Sequence, residues 1–174
     1  MILKNKDIMK TYITRLSLIT VLLLVFTSCE LERLEAETAA APGGGTLTTF
    51  TAYTINSTNP DESNVNGRIV FWETSLNQTL VQISLSNTVP GLLHPALVLE
   101  GAVGSDGVTM LTLDEVSGDT GELSESKFFL ISDTGYYDTV LTMDSHINIY
   151  LSPTDDTIVA TGDLGINAEP VDSN

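Results

Sequence analysis

A two-residue hydrophobic period beyond residue 47 is the strongest constraint on the fold of this chain. Val81, Ile83 and Leu85 alternate with polar residues, and residues 147–151 repeat the pattern. Such alternation is typical of strands that bury one face. Further β-branched or aromatic runs lie at residues 50–55, 68–72, 96–99, 108–113, 127–131, 137–141 and 157–161. The sequence therefore predicts about nine strands. Those with clear alternation should bury one face and expose the other to solvent.

Turn-forming residues separate these runs. Examples are Asn66-Gly67, Pro90-Gly91 and Asp106-Gly107. Such pairs favour chain reversal, and no segment beyond residue 47 carries apolar residues at helical spacing over the length of a helix. The pattern predicts an all-β domain, an antiparallel Greek-key sandwich or barrel of about 8–9 strands. Its roughly 120 residues are enough to bury one core without disulfides.

The N-terminal segment has the order of a secretory leader. Basic residues open it, and an apolar run follows at residues 16–26. This run is shorter than the about 20 residues of a membrane-spanning helix. Two small residues then precede Cys29, in an order that resembles the lipobox of bacterial lipoproteins. The resemblance implies that residues 1–28 form a lipoprotein signal peptide and that Cys29 carries the lipid. Translation from Met1 or from Met9 would give an adequate leader.

An acidic cluster and a linker follow the cysteine. Four glutamates lie within residues 30–37, and an Ala/Pro/Gly stretch fills residues 39–45. The glutamates read either as a solvated tether or as similar to the surface-export signal of Bacteroidetes-type lipoproteins. We therefore expect a tether at residues 29–46, a domain at residues 47–167 and a C-terminal tail at residues 168–174. The expected location is the outer membrane, with a lipid anchor and exposure at the cell surface.

Charge and cysteine content exclude several classes of function. The chain has 23 acidic and 7 basic residues, for a net charge of -16. The leader contributes +3, so its removal would leave -19. Nucleic acids and anionic membrane surfaces repel such a chain, so we expect no nucleic-acid partner and membrane attachment through the lipid. The single cysteine excludes a disulfide scaffold and cysteine-ligated zinc or iron–sulfur centres.

Several segments resemble CHRD-type domains, the module first named in chordin. They are residues 89–96 (Val-Pro-Gly-Leu-Leu-His-Pro-Ala), Tyr137-Asp138, residues 146–152 and residues 158–165. The resemblance covers the domain at residues 47–167. It implies a β-sandwich similar to the copper/zinc superoxide dismutase barrel. In the family, a His-Pro-Ala-His-Ile-His motif and a histidine on a later strand resemble a metal-binding cluster.

Most of that histidine cluster is absent from this chain. Leu97 and Leu99 stand in the positions of two motif histidines, and Tyr150 replaces the later strand histidine. His94 remains, and His146 is the second histidine of the chain. Copper and zinc require several converging ligands, so we predict no metal site and name these two histidines as the residual ligands. Calcium is the alternative for the acidic loops, which otherwise read as solvated turns.

The substitutions define a candidate binding face, which consists of Leu97, Leu99 and Tyr150. If accessible, it forms an apolar patch of the kind that binds partners, and if covered, it belongs to the core. No Gly-X-Ser-X-Gly elbow or Lys-containing phosphate loop occurs, so we expect no catalytic residues, no cofactor and no enzyme. The sequence favours a binding or structural module with a protein or glycan partner. The alternative is a metal-binding (copper/zinc or calcium) or redox-related domain.

Overall fold

The structure is a computed structural model that describes residues 47–172. These residues contain ten strands and one helical turn. In chain order they are β1 Phe50–Ser57, β2 Asn66–Glu73, β3 Thr79–Ser86, β4 Leu93–His94, β5 Ala96–Glu100, β6 Thr109–Thr112, β7 Val116–Ser117, β8 Phe129–Ile131, α1 Tyr136–Thr139, β9 Asp144–Ser152 and β10 Asp155–Gly165. The leader, Cys29 and the tether lie outside the described residues. Between residues 47 and 172, no helix is long and apolar enough to cross a membrane.

Eight strands form one antiparallel sheet in the order β6-β5-β9-β10-β1-β2-β3-β8. The sheet curls into a half-barrel, so the predicted all-β, antiparallel sandwich or barrel is confirmed. Register shifts interrupt β10 near Ile158 and β5 at Val98. Such irregularities bend a strand and increase its twist, which helps the sheet to curl. β4 and β7 pair with each other as a separate two-stranded ladder.

The main core lies on the inner face of the curled sheet. The residues with the two-residue period supply it, among them Val81, Ile83 and Leu85 of β3. Tyr53 and Phe71 meet there edge to face, with ring centroids 6.5 Å apart. Burial of alternate residues on each strand is what turns the sequence period into a sheet with an inner and an outer face.

A second, smaller cluster lies on the outer face of β1, β2 and β3. It contains Trp72, which packs against Phe50, and it is joined by Leu47 and Phe128 from flanking segments. The remaining buried members are Ala52, Val70 and Leu80. The segment expected as a tail contributes here, because the backbone N–H of Val171 donates to the carbonyl of Ala52 at 2.8 Å. Val171 thus forms an isolated antiparallel bridge with Ala52 of β1.

The prediction of a strand at residues 137–141 is wrong, because this segment begins with a helical turn. Gly135, with a φ of 80°, introduces the helical turn α1 at this point. Residues three apart lie on the same side of a helical turn but on opposite faces of a strand. Tyr137 therefore packs against the core together with the fully buried Val140. The carbonyl of Val140 accepts a hydrogen bond from the Tyr53 hydroxyl at 3.2 Å, so the turn closes one end of the core.

Candidate functional site

The three residues of the candidate binding face share one side of the sheet. Leu97 lies directly opposite Asn148 on the neighbouring strand, and Leu99 lies opposite His146. Such cross-strand pairs point to the same face, and Tyr150 follows Asn148 by two residues, so it points there as well. The intervening residues of both strands belong to the core. All three members are half-buried on the outer face, so they are not core residues.

An open groove of about 580 Å³ lies where this face meets the β9–β10 hairpin. Leu97 and Tyr150 line it, whereas Leu99 does not. The other lining residues are Pro95, Ser152, Pro153, Thr154, Asp155 and Asp156. The N–H of Tyr150 donates to the carbonyl of Pro95 at 2.9 Å, so a backbone hydrogen bond joins β9 to the residue that precedes β5. The groove combines an aromatic ring and apolar carbons with hydroxyls and carboxylates.

Two exposed carboxylates give the hairpin side of the groove its charge. Asp155 accepts a hydrogen bond from the backbone N–H of Thr157 at 3.0 Å. Hydrogen bonds from the Thr157 side chain and backbone lower the pKa of Asp155, so this carboxyl stays ionised at neutral pH. Asp156 is also exposed. The bases of residues 47–172 are Arg68 and Lys127, and neither lines the groove.

His94 is fully buried beside the backbone of Tyr150. The N–H of Val89 donates to Nε2 of His94 at 3.3 Å, and Nδ1 lies 3.1 Å from the carbonyl oxygen of Tyr150. Since Nε2 accepts, Nδ1 carries the proton and donates to that carbonyl. The neutral imidazole thus uses both nitrogens to connect the loop after β3 with β9. It supports the strand that presents the Tyr150 ring.

His146 is buried on the outer face under the loop that follows β5. Its Nδ1 lies 2.8 Å from the carbonyl oxygen of Gly101, and its Nε2 lies 3.4 Å from the amide nitrogen of Asn148. The side-chain oxygen Oδ1 of Asn148 in turn accepts a hydrogen bond from the Thr161 hydroxyl at 2.7 Å. These contacts form a chain from Gly101 through His146 and Asn148 to Thr161, and none of its buried side-chain polar atoms lacks a partner. His146 therefore attaches the loop to the sheet.

The two histidines do not converge. His94 contacts the strand at Tyr150, four residues beyond His146, which corresponds to about 13 Å along a strand. Each imidazole would have to give up a hydrogen bond to bind a metal. Within residues 47–172, no group of three or more His, Cys, Asp or Glu side chains is placed to hold a metal ion. The acidic loops considered for calcium form no such group there either.

Sequence reasoning missed the hairpin as part of the site. The groove forms because the start of β5 and the turn between β9 and β10, more than fifty residues apart, lie side by side. The signal in the sequence is Pro153-Thr154-Asp155-Asp156 between two strand patterns, which reads as one of the acidic turns considered for calcium. The network around His146 was missed for a similar reason, because its carbonyl partner lies on a distant loop.

A scan against protein-family models finds no match for this chain, and a search of curated proteins finds no significant match. The fold and the geometry of the outer face are therefore the basis for a functional proposal.

Proposed function

We propose that this chain is a lipid-anchored outer-membrane protein, exposed at the cell surface, that carries a non-catalytic CHRD-like binding module. Residues 1–28 would direct export, and Cys29 would hold the lipid. The domain would bind a protein or glycan partner through the face that contains Leu97, Leu99 and Tyr150. A lipid anchor keeps such a domain at the membrane without the basic patch that the sequence lacks.

The groove beside Tyr150 is the observation that carries this proposal. Binding sites are commonly concave and combine apolar walls with a few polar groups that fix orientation. The half-exposed ring of Tyr150 and the side chain of Leu97 supply apolar area, and the hairpin supplies hydroxyls and carboxylates. Tyrosine is common at interfaces because it pairs a large apolar surface with a hydrogen-bonding hydroxyl.

A metal-binding or redox function has less support. Copper and zinc sites need several free nitrogen or sulfur ligands that meet at one point. Here the nitrogens of His94 hydrogen-bond to Val89 and Tyr150, whereas those of His146 contact Gly101 and Asn148, so the two imidazoles share no partner. Calcium needs six to eight oxygen ligands, and within residues 47–172 the acidic loops bring no three carboxylates together in a position to hold an ion.

Photo-crosslinking in the cells that produce the protein tests the proposed binding face. Tyr150 is replaced by p-benzoylphenylalanine, an aromatic residue that reacts with groups in direct contact under ultraviolet light. The matched control carries the same residue at Leu76, which is 72% exposed on the turn between β2 and β3. We expect discrete adducts from position 150 and none of the same mass from position 76. Absence of adducts from position 150, or identical adducts from both positions, would contradict the proposal.

A further inference from the structure

We propose that the groove beside Tyr150 binds an arginine side chain on a basic peptide segment of a partner protein. The inference names the ligand chemistry of the binding face and therefore rests on the function proposed above. Three observations support the inference: the negative charge of the β9–β10 hairpin, the apolar wall formed by Pro95, Leu97 and Tyr150, and the hydrogen bonds that hold these two walls in place.

Charge is the first argument for a cationic ligand. Asp155 and Asp156 place two exposed carboxylates at the groove, and no lining residue is basic. The chain as a whole carries a net charge of -16. A field of one sign attracts ligands of the opposite sign and repels anionic peptides, phosphates and sulfated glycans. A positively charged ligand is therefore the complement of this surface.

The apolar wall favours arginine among the cations. Leu97, Pro95 and the Tyr150 ring can cover the methylene stem of a long side chain while its charged head reaches the hairpin. A guanidinium stacks on aromatic rings and donates two parallel hydrogen bonds to a carboxylate, which the compact ammonium of lysine cannot do. Within residues 47–172 the Tyr150 hydroxyl has no hydrogen-bond partner, so it too is available to a ligand.

The hydroxyls of the hairpin are already hydrogen-bonded to each other, which favours a peptide ligand over a neutral glycan. A glycan would use the side chains of Ser152 and Thr154 as well as the tyrosine ring. Those two hydroxyl oxygens already lie 3.3 Å from each other, and Ser152 also accepts from the N–H of Thr154. The carboxylates, which accept without donating, and the Tyr150 hydroxyl are the polar groups left for recognition.

The walls of the groove are held in place before a ligand binds. His94 and the carbonyl of Pro95 fix the backbone of Tyr150 from two sides. The N–H of Thr157 fixes the carboxylate of Asp155. A site that is already ordered loses less conformational entropy on binding, so a shallow groove can still select one side chain.

Fluorescence polarisation on the purified full chain tests this inference. The probe is a labelled nine-residue peptide with three arginines separated by glycine and serine, and its control contains citrulline, a neutral isostere, in place of arginine. The variant Asp155→Asn/Asp156→Asn keeps the shape of the groove. Its matched control is Asp61→Asn/Asp133→Asn, which removes two exposed carboxylates elsewhere. We expect the first variant to weaken binding about tenfold, the control variant to change it less than about twofold, and the citrulline peptide not to bind.

Equal weakening in both double variants would overturn the inference, because it would mean that the peptide follows net charge and not the groove. Tight binding of the citrulline peptide would overturn it as well. Binding of an uncharged oligosaccharide, chitohexaose, that is lost in Tyr150→Ala would refute arginine and leave the proposed binding face intact. If the peptide fails to bind while crosslinks still form at position 150, only the ligand class is wrong. If both fail, the binding face is wrong.

Discussion

Replacement of His94 by leucine tests whether this buried histidine acts as a structural connection. Leucine fills a similar volume, so the change removes two hydrogen bonds and leaves little cavity. The groups that lose a partner are the N–H of Val89, at 3.3 Å, and the carbonyl of Tyr150, at 3.1 Å. A buried polar group without a partner costs about 1–3 kcal/mol. Because Val89 is 36% exposed and its hydrogen bond to His94 is only partly buried, its N–H contributes less than the carbonyl does, and we expect a total loss of about 2–4 kcal/mol in the free energy of unfolding.

Urea unfolding followed by tryptophan fluorescence measures this loss. Trp72 is the one tryptophan of the chain, and it is 5% exposed against the ring of Phe50. The control is Leu93→Ala, on the same short strand but 41% exposed, for which we expect less than about 1 kcal/mol. A His94→Leu protein as stable as the wild type would refute the reasoning. So would a chelator that lowers wild-type stability to the level of the variant, since His94 would then be a metal ligand.

Three further outcomes follow from the sequence and the packing. Burial raises the pKa of Tyr53, so the folded state favours the neutral phenol. The stability that the Tyr53 side chain contributes is therefore complete below about pH 10 and declines as the pH rises above that value. Tyr53→Phe should therefore cost about 1 kcal/mol at neutral pH and flatten the alkaline loss of stability in urea titrations, and an unchanged alkaline limb would contradict this. Gly162→Ala should lower the free energy of unfolding by about 1–3 kcal/mol, because the new Cβ would lie 2.3 Å from the carbonyl oxygen of Thr54, and an unaltered melting temperature would be inconsistent with that contact. Cys29→Ser should abolish incorporation of labelled palmitate, whereas continued labelling would exclude lipid at this residue.

The strands were predictable because a strand that buries one face alternates apolar and polar residues, and this alternation can be recognised in the local sequence. Val81, Ile83 and Leu85 required only that rule, and they enter the core as expected. The turn α1 was not predictable in the same way. Tyr137 and Val140 have the composition of a strand, and only the requirement to bury both on one side of the core favours a helical turn.

The candidate face was partly readable from the sequence, and the groove was not. Leu97 and Leu99 are two residues apart, and His146 and Tyr150 are four residues apart, so the sequence alone assigns the members of each pair to one face of their strand. What the histidines contact depends on carbonyls 45 and 56 residues away in the sequence, which no local pattern encodes. Long-range strand pairing also decides which hairpin lies beside Tyr150.

The metal content of the purified full chain is the measurement that distinguishes most directly between a binding module and a metal-binding domain. The protein is exposed to copper, zinc and calcium, passed through a desalting column and examined by mass spectrometry of the elements. Because the nitrogens of both imidazoles have protein partners and the two rings share none, we predict that no metal is retained in stoichiometric amount. One copper or zinc ion per chain, lost in both His94→Leu and His146→Leu, would contradict the assignment of the histidines to backbone support.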